Sequence, residues 1–261
     1  MPELPDVEAF KRYVNRTSKG KKIKSISSKK GRLVKASEKE LKNLEGKKIK
    51  DTSRHGKYMF LHMSGRSGRI LVLHFGMTGY MEYYSREKQE EPKHSQLILE
   101  LDNGHSLAYI NIRKLGRVWL TDSMDRFVGE HNLGPDGMSL TKKQFRGIIN
   151  DSGGIIKTTL MDQSKIAGIG NIYSDEILYQ VGIHPEKRTP KLKENEIDSI
   201  HSAMKRVLKT TVRHNAQPDD FPAGYLTRRR ENGAGCGKCS GSIRKKTIGG
   251  RTGYFCPKHQ N

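Results

Sequence analysis

The sequence predicts an α+β protein of two domains, a β-rich N-terminal half and a helical C-terminal half, closed by a small metal-binding finger. Three observations carry this. Short apolar or alternating runs fill the first 121 residues, helical periodicity with capping signals takes over after Pro135, and all three cysteines lie beyond residue 235. A chain of 261 residues is long enough for two ordinary domains.

The first element is a helix over about residues 2–15, where Leu4, Val7, Phe10 and Val14 recur at spacings of three and four and mark one apolar face. Pro2 suits a first helical turn, where a missing N–H leaves no bond unmade. Strand signals follow at 47–53, 58–63, 70–75, 96–101, 106–110 and 117–121, and Asp102-Asn103-Gly104 is a hairpin turn between two of them. Ser37-Glu38-Lys39-Glu40 reads as the capping box of one short helix among the strands. So many short strands predict a β-sandwich or barrel.

The character changes between Thr121 and Pro135. Thr141-Lys142-Lys143-Gln144 is a second capping box, and helices are predicted over 142–150, 172–181 and 194–212. From Cys236 onward the chain is rich in Gly, Lys and Arg. The predicted domains are 1–130, β-rich; 131–232, helical; and 233–261, the finger. No internal repeat is evident.

Composition narrows the function. Formal net charge is +21, from 49 Lys+Arg against 28 Asp+Glu. Such an excess repels itself and calls for a polyanion or a membrane surface as partner, and salt-sensitive binding to a phosphate backbone is the favoured reading over a merely basic soluble protein. No run approaches the length of a membrane span, and the opening MPELPDVEAF has no apolar signal core. The expectation is an intracellular protein with no membrane partner, and an odd cysteine count argues against a disulfide framework.

The cysteines form a pattern. Cys236 and Cys239 make a C-x-x-C pair, and after sixteen intervening residues Cys256 and His259 make C-x-x-H. Two such knuckles fit a tetrahedral site for one structural Zn²⁺ with three thiolates and one imidazole; the alternative is three buried free thiols and a surface histidine. The stretch 243–255 between them reads as a hairpin bearing Arg244, Lys245, Lys246 and Arg251, a basic tip suited to phosphate.

Met1 precedes a small residue, so its removal is expected, leaving Pro2 with a free secondary amine. Such an amine attacks a carbonyl-like carbon and forms an iminium, as a lysine forms a Schiff base. Glu3, next to it, is placed to act as acid or base. Taken alone, Pro2 and Glu3 are also ordinary residues for a helix start.

A set of motifs in order along the chain supplies more. MPELPDVE, Arg54-His55-Gly56-Lys57-Tyr58, His74-Phe75-Gly76-Met77-Thr78-Gly79, Asn111-Ile112-Arg113-Lys114-Leu115-Gly116 and the segment Ile166-Ala167-Gly168-Ile169-Gly170-Asn171-Ile172-Tyr173-Ser174-Asp175-Glu176 resemble the signatures of the formamidopyrimidine-DNA glycosylase and endonuclease VIII family. Each motif is modest; their order over nearly the whole chain, with the zinc hairpin at the end, is specific. The resemblance implies an N-terminal β-sandwich with flanking helices, a C-terminal helical domain built on a helix–two-turn–helix, and a zinc-finger hairpin, with a DNA cleft between the two domains.

It also implies a DNA repair enzyme with two activities, base excision through a covalent Pro2 intermediate and strand cleavage by elimination. In that scheme Pro2, Glu3, Lys57 and Arg251 are catalytic. His74, His94, Arg113, Lys157 and Asn171 contact the DNA backbone or the abasic site. Met77, Arg113 and Leu115 fill the void left by the extruded nucleotide, where apolar side chains wedge and an arginine meets the orphan base. Gly168 and Gly170 let backbone amides approach a phosphate at a helix N-terminus. The bland alternatives are a solvated strand-edge lysine for Lys57, core packing for Met77 and Leu115, and a plain helix–helix turn for the glycines. The partner is damaged double-stranded DNA, met by a monomer, and the compartment the cytoplasm or nucleoid of a prokaryote.

The sequence departs from the family pattern in four places. Asp6 stands where Glu is common, Leu115 where Phe is usual, and His259 where a fourth Cys is usual. Between Phe221 and Cys236 there is no room for the lesion-capping loop of purine-directed members, which points to a more open pocket for oxidised pyrimidines, ring-opened purines or further-oxidised guanines. Two other readings stand beside the enzyme: a catalytically silent DNA-binding relative, and an unrelated zinc-hairpin protein of RNA or ribosomes. The first is disfavoured by the presence of Pro2, Glu3 and Lys57. The second leaves the N-terminal motif unexplained, and a single-strand binder calls for more than 7% aromatics.

Overall fold

The computed structural model describes residues 1–29, 31–65 and 68–261. It divides into two compact units, Met1–Pro2 with Asp6–His131, and Glu3–Pro5 with Asn132–Asn261.

In the first unit, helix α1 (Leu4–Ser18) is followed by β1 (Ile23–Ser28), α2 (Glu38–Lys42), β2 (Ile49–His55), β3 (Tyr58–Met63), β4 (Ile70–His74), β5 (Gly79–Ser85), β6 (Ser95–Leu101), β7 (His105–Asn111), β8 (Arg117–Thr121) and α3 (Met124–Glu130). The strands form two antiparallel four-stranded sheets, in order β1-β6-β7-β5 and β2-β3-β4-β8. Alternate residues of both sheets, among them Ile26, Leu61, Leu73, Leu99 and Leu107, meet in one apolar core with Val7 and Val14 of α1. That is a β-sandwich. On the outer face of the second sheet Phe60, Ile70 and Val72 pack against Phe127 of α3.

The second unit contains α4 (Lys142–Asn150), α5 (Ile156–Met161), α6 (Asn171–Val181) and α7 (Glu194–Arg213), then the hairpin β9 (Arg244–Ile248) and β10 (Arg251–Phe255). Ile149, Leu160, Ile177, Ile200 and Leu208 build its core. Among the described residues no helix is long and apolar enough to cross a membrane.

Both capping boxes form, at Ser37 with Glu40 and at Thr141 with Gln144, and α4 starts and stops where predicted. The first helix begins at Leu4, two residues later than predicted, because Glu3 turns away to another partner described below. Two strands and two helices escaped prediction. In β1 only Ile23 and Ile26 are buried, so no alternation shows, and β5 is an edge strand of mixed Tyr and Glu. Helices α3 and α5 have seven and six residues, too few for a helical period to register.

Candidate active site

In the first unit the sheet register gathers one set of side chains. Lys57 occupies the turn between β2 and β3, is 6% exposed, and is therefore no solvated strand-edge lysine. Strand pairing sets Tyr58 opposite His74 and His74 opposite Arg117. His74 accepts a hydrogen bond on Nδ1 from the Gly76 amide at 3.4 Å. Burial, reinforced by the positive charges of Lys57 and Arg117, pushes its pKa down to about 4, so its imidazole is neutral at physiological pH.

The loops 75–79 and 111–116 close the same end. Asn111, fully buried, donates from Nδ2 to the Phe75 carbonyl at 3.0 Å and accepts on Oδ1 from the Leu115 amide at 3.2 Å. The Arg113 amide donates to Thr78 Oγ1 at 3.0 Å. A Cβ on Gly76 would lie 2.5 Å from the Leu115 carbonyl carbon, so only glycine lets the loops touch. So braced, the loops hold Met77 and Leu115 in solvent, 43% and 46% exposed, and Arg113 beside them is also exposed. Neither apolar side chain is core, which removes the packing alternative. His94 is exposed, in a left-handed conformation (φ 64°), and its carbonyl accepts from the Asn111 amide at 3.1 Å, which ties it to the same loops.

The second unit holds the other set. Glu3 is 1% exposed and its carboxylate sits on the N-terminus of α6. Oε2 accepts from the Gly170 amide at 2.7 Å and the Tyr173 amide at 3.3 Å, and Oε1 from the Ile172 amide at 2.8 Å. An anion on unpaired first-turn amides is favourable both as a hydrogen-bond acceptor and against the helix dipole. Gly168 and Gly170 were expected to admit a phosphate; here they admit Glu3 and Leu4. A Cβ at either position would fall 2.5 Å from Leu4 Cδ1 or Glu3 Cδ respectively.

Lys157 also departs from expectation. It is 0% exposed and paired through Nζ with Oδ1 of Asp175, itself fully buried, so in this conformation it offers nothing to a phosphate. The other oxygen, Oδ2, accepts from Arg230 at 2.6 Å and from the Tyr254 amide of β10 at 3.1 Å. Burial lowers the Lys157 pKa while Asp175 opposes the shift. The pair fixes the finger hairpin to α6: Asp175 grips β10, and Asn171 Nδ2 donates to the Thr252 carbonyl at 2.8 Å. Arg251 follows the two-glycine turn Gly249-Gly250 (φ 54° and 73°) and is exposed at the tip. Sequence reasoning gave no role to Asp175, Arg230 or Asn111. Asp175 and Asn111 lie inside the recognised motifs, but their partners are remote in sequence.

Near the C-terminus the sulfurs of Cys236, Cys239 and Cys256 lie within 4.8 Å of one another as free thiols, a set able to hold a metal ion. Burial raises the Cys236 thiol, but hydrogen bonds from the Tyr179 hydroxyl, at 3.2 Å, and from backbone amides outweigh it and bring its pKa down to about 7. Burial pushes Cys256 up to about 11. His259 stands outside this three-sulfur group; its Nε2 donates to the Tyr179 carbonyl at 2.8 Å.

These features accompany a clear kinship. Residues 1–118 match the formamidopyrimidine-DNA glycosylase N-terminal domain and residues 133–220 the formamidopyrimidine-DNA glycosylase H2TH domain. The formamidopyrimidine-DNA glycosylase of Pelotomaculum thermopropionicum is 34% identical over 100% of this chain and 99% of its own, and that of Haemophilus influenzae is 33% identical over the same shares. Solved structures of Lactococcus lactis Fpg with DNA containing Fapy-dG or an abasic site superpose with a TM-score of 0.89, at 30% identity over at least 99% of both chains. The chain belongs to the formamidopyrimidine-DNA glycosylase family.

Proposed function

We propose that the protein excises oxidised bases from duplex DNA, as a monomer, and cuts the strand at the resulting abasic site, with the Pro2 amine as nucleophile. The carrying observation is Glu3. The residue adjoining Pro2 is a buried carboxylate held by three amides at the N-terminus of α6, those of Gly170, Ile172 and Tyr173. A buried carboxylate fixed beside the nucleophile is placed to exchange a proton with the substrate as a general acid or base.

With Met1 removed, the Pro2 nitrogen attacks the anomeric carbon of the damaged nucleotide and the bond to the base breaks. The base departs with a proton, and the sugar ring opens as its oxygen receives a proton by way of Glu3. The nitrogen lone pair completes an iminium. Loss of the neighbouring C2′ proton then expels the 3′ phosphate; a second elimination expels the 5′ phosphate, and water frees the amine. Lys57, at the sheet end beside neutral His74, is assigned to phosphate contact and proton transfer. Exposed Arg251 grips the phosphates around the lesion. Asn171 and His94 contact backbone, while Met77, Arg113 and Leu115 enter the void. We assign Lys157 to holding Asp175 and the hairpin rather than to DNA. The finger, 233–261 in this division, binds one structural zinc through Cys236, Cys239 and Cys256. With Nε2 committed to Tyr179, His259 has only Nδ1 left to offer as fourth ligand.

The segment before the finger supports an open lesion pocket. It is short and pinned: the Thr227 amide donates to Glu176 at 2.8 Å and Arg230 binds Asp175. Oxidised pyrimidines, ring-opened purines and further-oxidised guanines are the proposed substrates.

Borohydride trapping on duplexes with an abasic site, an oxidised pyrimidine or an oxidised guanine tests the mechanism. A covalent adduct at Pro2, lost in Pro2→Gly while DNA binding persists, is the expected result. No adduct on any duplex from zinc-loaded protein that binds DNA would overturn it and leave a binding protein.

A further inference from the structure

The pentapeptide Gly-Lys-Lys-Ile-Lys occurs twice, at residues 20–24 and 46–50, a repeat too short to be read as domain architecture. The fold lays the copies side by side, antiparallel, about a bridge between Lys22 and Lys48. The pairing is two-fold symmetric. Gly20 N donates to Ile49 O and Gly46 N to Ile23 O; Ile49 N donates to Lys21 O and Ile23 N to Lys47 O. The glycines share one left-handed conformation, φ 82° and 81°. Both isoleucines are fully buried, so alternation turns Lys22, Lys24, Lys48 and Lys50 outward, and all four are exposed. Lys24 and Lys50 are moreover the extra residues of register shifts in β1 and β2, the kind of bulge that re-aims a side chain. Neither copy contains an acid. The two acids that flank the second copy are both engaged elsewhere: Glu45 accepts from the Ile26 amide at 3.1 Å, and Asp51 pairs with Lys19 at 3.1 Å.

Within its own unit this plate is remote from Lys57 and Pro2. Lys57 follows one end of β2 and the plate lies at the other, about 23 Å away for seven residues at ~3.3 Å each. Pro2 precedes α1 and the plate follows it, about 22 Å along fifteen helical residues at ~1.5 Å each.

We propose that the paired Gly-Lys-Lys-Ile-Lys turns form a second DNA-binding surface, which holds the phosphate backbone of a duplex segment other than the one at the active site. Ammonium groups carried on a paired backbone suit phosphates and carry no base code. The absence of aromatic side chains from both copies favours duplex over single strand, which is bound by stacking. The choice of DNA as the polyanion rests on the function proposed above. Two-point attachment would let the enzyme pass between DNA segments while it searches.

The test compares the full-length protein with the K22Q/K24Q/K48Q/K50Q variant. On lesion-free duplex, sedimentation at low salt should show two short duplexes per wild-type protein and one per variant. The slope of log affinity against log salt should fall by up to about 3.6, at ~0.9 for each of four phosphate contacts. Incision of a short duplex with one lesion should be unchanged. If the variant keeps both the slope and the second duplex, or if an acidic protein but no DNA occupies the plate, the proposal is overturned. Loss of incision in both proteins would instead count against the catalytic reading, since the binding readouts use undamaged DNA.

Discussion

A side-chain carbon on Gly170 would lie 2.5 Å from the carboxyl carbon of Glu3, so the Glu3 carboxylate occupies the space that glycine leaves vacant. Gly170→Ala should therefore displace Glu3 from the α6 amides. The expected loss is about 10²- to 10⁴-fold in base excision, the range of a general acid or base, with about 1–3 kcal/mol of stability. Gly147→Ala is the control: it lies in α4 with nothing within 4 Å of its Cβ, and should leave activity intact and raise stability by up to about 1 kcal/mol. Single-turnover incision and thermal unfolding measure both.

Asp175→Asn should leave Lys157 as an unpaired buried charge and cost about 3–5 kcal/mol in denaturant unfolding. Adding Lys157→Met should recover much of that, since replacing a buried pair by an apolar group is often neutral. Were Lys157 a phosphate contact instead, Lys157→Met alone would flatten the salt dependence of DNA binding. We expect that slope to stay as in the wild type.

His74 makes stability depend on pH. Its pKa is about 4 in the folded protein against 6.5 as a free side chain. The unfolded chain therefore binds the extra proton first, and stability from this group, complete above pH 6.5, declines as pH falls toward 4. His74→Gln should remove that part of the slope in a series of unfolding curves between those limits.

For the finger, His259→Ala should weaken zinc retention at least 10-fold against a chromogenic chelator, while His259→Cys keeps it. Tyr179→Phe, which removes the hydroxyl beside Cys236, should weaken it by about 10-fold as the loss of an outer partner of a ligand. Unchanged retention in His259→Ala would show that the fourth ligand is another group.

Leu115 is 46% exposed, so Leu115→Phe should change folding stability by no more than about 0.5 kcal/mol. Its effect should fall on the ranking of bases opposite the lesion, because a ring stacks where Leu only wedges. Incision rates on four duplexes that differ only in that base check this.

The sequence by itself determined what repeats over short range. It set the buried faces of β3, β4 and β8, both capping boxes, the finger hairpin and the cysteine spacing, because periods of two and 3.6 residues and local caps depend on neighbours in the chain. It also carried the motifs that marked Pro2, Glu3, Lys57 and Arg251. Tertiary structure decided what those residues do to one another. Glu3 finds its amides 167 residues away, Lys157 is drawn inside by Asp175, and two lysine-rich turns 26 positions apart become one plate through the Lys22–Lys48 bridge. No local rule encodes such contacts, since whether a charge is buried, paired or left to solvent is settled by the groups the fold brings opposite it.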